Sequence, residues 1–141
     1  MTAPVLVALD PSDIEAQAHI LAAAQAEAAA RGAGLALILV VEGMRHAAHG
    51  PAYAELRQSL MQEAADRADA WAQDVVGGPV GTHVAYGDAD EQILAAAERL
   101  GASAIVMGER RERAIDRVLG SVAQAVSARA GVPVVLVPPV A

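Results

Sequence analysis

Four short stretches of this chain are apolar at nearly every position: residues 4–9 (PVLVAL), 35–41 (LALILVV), 102–107 (ASAIVM) and 132–137 (VPVVLV). A strand with one wet face alternates apolar with polar residues, whereas a strand covered on both faces is apolar throughout. Between these runs the apolar spacing changes to helical period. Residues 13–31 carry Ile14, Ala18, Leu21, Ala22 and Gln25 on one stripe, and Gly32 and Gly34 mark its end. Residues 52–76 place Tyr53, Leu56, Leu60, Ala64, Ala68, Trp71 and Val75 at successive steps of three or four, which predicts a long helix. Gly77, Gly78 and Pro79 stop it. Residues 80–86 form a weaker strand, and polar Thr82 and His83 within it point to a sheet edge. Gly87 and Asp88 open a helix whose buried face is Ile93, Leu94, Ala97 and Leu100, and Gly120 with Ser121 lead into a last helix ending near Gly131. Ser12 with Glu15, and Asp88 with Glu91, have the spacing of capping boxes.

The order is strand and helix in strict alternation, beginning and ending on a strand. Such a chain folds as an α/β domain, a parallel sheet with right-handed crossovers and helices on both faces. No linker, repeat or low-complexity segment interrupts the 141 residues beyond a bias to alanine, so one domain is expected over 1–141. Ligands of such sheets sit past the carboxyl ends of the strands, where strand order reverses. The residues at those ends are Asp10, Val40 to Glu42, Gly87 with Asp88, and Gly108 onward.

Composition removes several classes of function. Seventeen acids against ten bases, a net charge of −7, oppose sequence-blind DNA binding. Phenylalanine is absent and only Trp71, Tyr53 and Tyr86 are aromatic, too few for a platform that stacks bases, so no nucleic-acid partner is expected. The absence of cysteine excludes disulfides, a thiolate nucleophile and a cysteine zinc site. All ten bases are arginine, which excludes a P-loop lysine, a Schiff-base lysine and the lysine of a receiver domain. There is no apolar run of bilayer length and no signal-peptide pattern before Asp10, so the expected location is cytoplasmic, away from membranes. Ser121 and Ser127 lack a histidine base with a positioned partner, and His46 and His49 lack a third metal ligand. Neither a catalytic constellation nor a metal site is expected.

The densest chemical signal is MGERRERAIDRVLGSV, from Met107 to Val122. Arg110, Arg111, Arg113 and Arg117 follow a strand end, and Gly120-Ser121 then opens a helix. Helix N-termini present N–H groups and a positive dipole end to anions, and arginine adds bidentate phosphate contacts. The competing reading is a solvated arginine loop paired with Glu109, Glu112 and Asp116. Asp10, after the first strand, can bind a ribose hydroxyl or an adenine amine, or cap the next helix beside Ser12. Gly87-Asp88 can serve a ligand or simply make a tight turn and a cap.

Over nearly its whole length the chain resembles the universal stress protein family. VLVALDPSD is similar to the family's first strand and its Asp-Gly-Ser, LALILVVE to its second strand, VAYGDADEQIL to its Gly-x-Pro-x-x-x-Ile segment and GASAIVMGERR to its Gly-Ala-Asp-Leu-Ile-Val-Met-Gly. LGSVAQAVSARAGVPVVLVP is similar to the ending Leu-Gly-Ser…Pro-Val-Leu-Val-Val; the last two segments are the most specific. The resemblance implies a five-stranded parallel sheet in the order 3-2-1-4-5, Rossmann-like, with an adenosine nucleotide in the crevice between the first and fourth strands. It implies that Asp10 meets the ribose or base, that Val40 holds adenine through its backbone, and that Gly87 packs near the ribose. Gly108, Gly120, Ser121 and Val122 would meet the phosphates, largely through backbone N–H groups.

The family's nucleotide motif is glycine, two residues, glycine, nine residues, then Gly-Ser or Gly-Thr. Here Arg111 stands in place of the second glycine, and only residues 112–119 separate it from Gly120. Arginine there trades a backbone approach for a charged contact. Pro11, Leu39, Ala89 and Ser103 also replace the usual glycine, histidine, proline and aspartate. The expected ligand is ATP or AMP, with magnesium entering alongside the phosphates and at most slow hydrolysis. The alternative is a nucleotide-free stress protein acting through dimerisation and partner contacts. A small α/β enzyme or flavin carrier is disfavoured, since no pyrophosphatase-type loop or triad is present. The resemblance also implies a homodimer through the last strand, from Val132 to Val137, whose apolar edge invites a two-fold mate.

Overall fold

The computed structural model describes residues 3–42, 50–109 and 120–140. Arg110, Arg111, Arg113 and Arg117, together with His46 and His49, lie outside the described residues. The elements run β1 (Val5–Leu9), α1 (Ala18–Arg31), β2 (Leu35–Val41), α2 (Pro51–Val76), β3 (Gly81–Tyr86), α3 (Ala89–Leu100), β4 (Ala104–Gly108), α4 (Ser121–Arg129) and β5 (Val134–Val137). The strands form one parallel sheet in the order β3-β2-β1-β4-β5, as expected. The chain starts in the middle, fills one side, then crosses back to fill the other. Strand order therefore reverses between β1 and β4, which pair from Val5↔Ala104 to Ala8↔Met107.

Side-chain alternation along the strands builds two half-cores. Val5, Val7 and Leu9 face the same way as Leu37, Leu39 and Val106, against Ile20, Leu21 and Ala24 of α1 and Ala68 and Ala72 of α2. Leu6, Ala8, Ile38, Val40, Ile105 and Met107 face the opposite way, against Ile93 and Ala96 of α3 and Ala123 and Val126 of α4. All five β1 residues are buried, which is why that strand reads as an unbroken apolar run. Edge strands β3 and β5 are only half-buried. The polar residues of β3 and its edge position agree.

Two expected capping boxes are corrected. The first helix does not open on a Ser12–Glu15 capping box. Residues Glu15–Gln17 form a 3-10 turn, α1 proper starts at Ala18, and no side chain caps either start. Ser12 instead donates both its N–H and its hydroxyl to Asp10 Oδ1, at 2.9 and 2.7 Å. Asp88 is the N-cap of α3, but its side chain makes no capping hydrogen bond. The α2 stripe forms a helix, as its spacing predicts, but is only partly covered. Only Ala68 and Ala72 of that helix are buried, Trp71 packs partly buried at the core edge, and Leu56, Leu60 and Val75 are 52, 46 and 43 % exposed. At about 1.5 Å per residue a helix of this length spans about 39 Å, well beyond the height of the neighbouring strands. Its first half therefore overhangs the carboxyl ends of the strands rather than covering the sheet. Among the described residues no helix is long and apolar enough to cross a membrane.

Candidate functional site

Where strand order reverses, the carboxyl ends of the strands open into a cleft of about 1330 Å³. The α3/α4 side of the sheet supplies an apolar wall of Ile38, Val40, Met107, Ala89 and Ile93. The first turn of α4, with Gly120, Ser121, Val122 and Ala123, lines it on that side. On the other side stand Asp10, Gln17 and Ile20, and the overhanging part of α2 adds Leu60, Glu63, Ala64 and Arg67. Gly108 lies at the end of β4 between the two sides.

The N-cap position of α4 carries no capping side chain. Gly120 is the N-cap, with φ −60° and ψ 156°, and as a glycine it supplies no capping side chain. The first intrahelical bond runs from Gln124 N–H to Gly120 C=O. The N–H groups of Ser121, Val122 and Ala123 thus have no partner within the helix and lie at the positive end of its dipole. Such a terminus takes an anion. Gly120 is in an ordinary extended conformation, so its value is the absence of a side chain rather than backbone freedom.

Asp10 is held from two directions. Ser12 approaches its carboxylate, as described. The side-chain amide of Gln17 takes its main chain: Asp10 N–H donates to Gln17 Oε1 at 2.8 Å, and Gln17 Nε2 donates to Asp10 C=O at 2.7 Å and to Asp13 C=O at 2.9 Å. A carboxylate offers about four lone-pair positions, so it can receive ligand hydroxyls beside Ser12.

Of the residues expected at a site, Asp10, Val40, Gly108, Gly120, Ser121 and Val122 come together on this cleft. Gly87 does not line it. Its φ of 141° makes the turn after β3, and its N–H donates to the C=O of Val41, 3.1 Å away. Arg111 lies outside the described residues, but Glu109 and Gly120, which flank the segment carrying it, both line the cleft. The described wall is otherwise acidic: Asp10, Asp13, Glu42, Glu63 and Glu109 face it, and Arg67 is the one arginine among its described residues. Arg67 bonds Glu15 at 3.2 Å across the rim. A backbone hydrogen bond at Glu15 itself, then this guanidinium, hold the Glu15 carboxyl below its ordinary 4.5. Among the described residues no group of histidines and acids is arranged to hold a metal.

Sequence reasoning passed over Gln17, Ile20 and the α2 residues. Gln17 did leave a signal. It lies three residues after Ile14 and four before Leu21, so a polar amide interrupts an inward-facing stripe. Arg67 left none, because the overhang of α2 follows from its length against the sheet.

The profile of the universal stress protein family matches residues 1–138. Among curated proteins none matches the chain. Among solved structures, a universal stress protein from Archaeoglobus fulgidus is similar with a TM-score of 0.72 and 23 % identity, over 96 % of this chain and 98 % of that one. A structure of the Archaeoglobus fulgidus protein in complex with dAMP is similar with a TM-score of 0.65 and 23 % identity, covering 94 % of this chain and 95 % of that one. A universal stress protein in complex with cAMP has a TM-score of 0.62 and 21 % identity, covering 99 % of this chain and all (100 %) of that one. At these identities the structures speak for the fold, and the near end-to-end profile match speaks for descent: the chain belongs to the universal stress protein family.

Proposed function

We propose that this chain binds an adenosine nucleotide, ATP or AMP, in the cleft between β1 and β4, and acts as a stress-response or signalling module. The observation that carries the reading is that the uncapped N-terminus of α4 and the carboxylate of Asp10 line one cleft beside an apolar wall. A phosphate needs the first, a ribose the second and a purine the third. Gly108 and Gly120 keep the path between them free of side chains. Val40 and Met107 are nearly buried and offer flat aliphatic contact to a ring. The dAMP and cAMP complexes of related folds support the same ligand class. Magnesium would arrive on the phosphates, since the described wall offers it no ligand set of its own.

Calorimetry with ATP, AMP and adenosine tests this. Binding in the micromolar range is expected, about −8 kcal/mol at 1 μM, and Gly120→Val should abolish it by covering the α4 terminus. No heat at millimolar nucleotide would overturn the reading.

A second reading is favoured by the acidic wall, which repels a polyphosphate unless arginines from 110–117 meet it. In that reading the domain carries no nucleotide and works through dimerisation and partner contacts. The two differ in what purified protein releases on denaturation: an adenosine compound detected by mass spectrometry decides for the first. Either reading includes a homodimer formed through β5.

A further inference from the structure

Past the end of β1, the main chain of Asp10 leaves the sheet. The β1–β4 ladder ends at Ala8↔Met107 and the β1–β2 ladder at Leu9↔Leu39. Pro11 follows and has no N–H to offer. A polar backbone group at a half-buried position must find a partner or lose stability. Gln17 supplies that partner for both groups at once. Its amide oxygen receives the Asp10 N–H and its amide nitrogen donates to the Asp10 C=O, so the carboxamide pairs with Asp10 as a strand of backbone would. The third bond, to Asp13 C=O, closes the loop that carries Ser12. Gln17 is itself anchored: its N–H donates to the C=O of Ile14 at 3.0 Å, and Ile14 is 1 % exposed.

We infer that Gln17 is the positioning residue of this cleft: by gripping both main-chain groups of Asp10 it fixes where the carboxylate stands and which sugar hydroxyls it receives. The ligand half of this inference rests on the nucleotide reading above; the grip on Asp10 stands without it. Glutamine is the fitting side chain because it carries acceptor and donor in one plane. Glutamate keeps the acceptor and loses both donations. Methionine keeps the length and loses everything polar.

The test has two arms on the intact chain. In nucleotide-free protein, amide exchange of Asp10 followed by NMR is expected to speed up by about tenfold or more in Gln17→Met, which leaves the Asp10 N–H without its acceptor. Exchange unchanged in Gln17→Met overturns the inference. In the second arm, AMP and 2′,3′-dideoxyAMP are compared by calorimetry. Gln17→Met should weaken AMP by about tenfold, the scale of one hydrogen bond to a charged group, and leave the dideoxy compound within about twofold. Equal loss for both overturns it, since a merely structural defect would not distinguish the sugars. Gln17→Leu, which is equally unable to bond Asp10 and adds no charge, offers the same comparison should the methionine variant melt early. If the unaltered protein binds neither nucleotide, the nucleotide reading falls, and the exchange arm alone decides whether Gln17 holds Asp10.

Discussion

A methyl group at Gly108 would stand 2.9 Å from Cδ1 of Ile20, closer than a Cβ contact tolerates. Gly108 has no positive φ, so an alanine backbone fits there and the conflict is purely one of space. Ile20 is 6 % exposed, and the little surface it keeps lines the cleft. The flexible end of Ile20 is therefore the part that must yield, and the cleft is the open side. Gly108→Ala should cost about 1 kcal/mol of stability, the low end of overpacking. Nucleotide affinity should fall further, by about tenfold, because the displaced Cδ1 takes ligand space. Thermal melts and calorimetry on one preparation check this; affinity unchanged alongside a stability loss would place the ligand elsewhere.

The bare N-cap at Gly120 sets stability against binding. An aspartate there would cap α4 and meet the positive end of its dipole, which favours the fold by a few tenths of a kcal/mol over glycine. The same carboxylate would occupy the anion position and repel phosphate. Gly120→Asp is expected to melt no lower than the unaltered protein and to bind ATP at least about a hundredfold more weakly. An aspartate variant that still binds ATP at full strength would show that α4 does not hold the phosphates.

How much of this was legible in the sequence follows from what each feature depends on. The strands were legible because Val5 to Leu9 and Leu35 to Val41 are covered on both faces, and burial on both faces leaves an unbroken apolar run. Asp10 and Gly108 were legible because the topology puts strand ends at the cleft whatever the side chains do, and Gly120 because Gly-Ser opens a helix. Gln17 left only a polar break in an apolar stripe, and its role did not show, since that arises when a 3-10 turn folds its amide back onto a residue seven positions earlier. Leu56 and Leu60 stand exposed because helical period announces an apolar face and says nothing about whether a sheet lies beneath it.

Arginine supply is the natural counterweight to the acids around the cleft. Asp13, Glu42, Glu63 and Glu109 line it against Arg67 alone among the described residues, and Arg67 is paired with Glu15. A polyphosphate needs more positive charge than that, and Arg111 lies in the segment between Glu109 and Gly120. Arg111→Ala should weaken ATP by about tenfold and adenosine hardly at all, the loss expected of one charged hydrogen-bonding partner. Calorimetry with the two ligands checks it, and equal loss for both would remove phosphate from the role of Arg111.

At the sheet edge, Tyr86 at the end of β3 shares a hydroxyl–hydroxyl hydrogen bond with Tyr53 of α2, and Arg57 lies 4.9 Å over its ring. The bond to Tyr53, then burial, push the Tyr86 phenol above its ordinary 10.0. A raised folded value means stability that is complete below the ordinary range and is lost as pH climbs through the raised one. Phenol-carbon NMR should show Tyr86 ionising late, and Tyr53→Phe should bring that ionisation down by removing the larger cause. Unchanged titration in Tyr53→Phe would mean that burial alone sets it.

The proposed pairing of two chains through β5 is testable from the direction of its backbone groups. Ile105 N–H donates to Pro133 C=O and Glu109 N–H to Val137 C=O, so residues 133 and 137, and by alternation 135, face β4. Val134 and Leu136 then turn their N–H and C=O outward, as the free edge of a parallel strand must. A two-fold mate pairing along that edge needs those groups, whereas the β4 ladder does not. Val134→Pro removes one outward donor and spares the inward bonds, a substitution edge strands accept. The unaltered chain should scatter light as twice 14.4 kDa, and the proline variant, still folded by circular dichroism, as a single chain. A folded variant that remains a dimer would move the interface off β5.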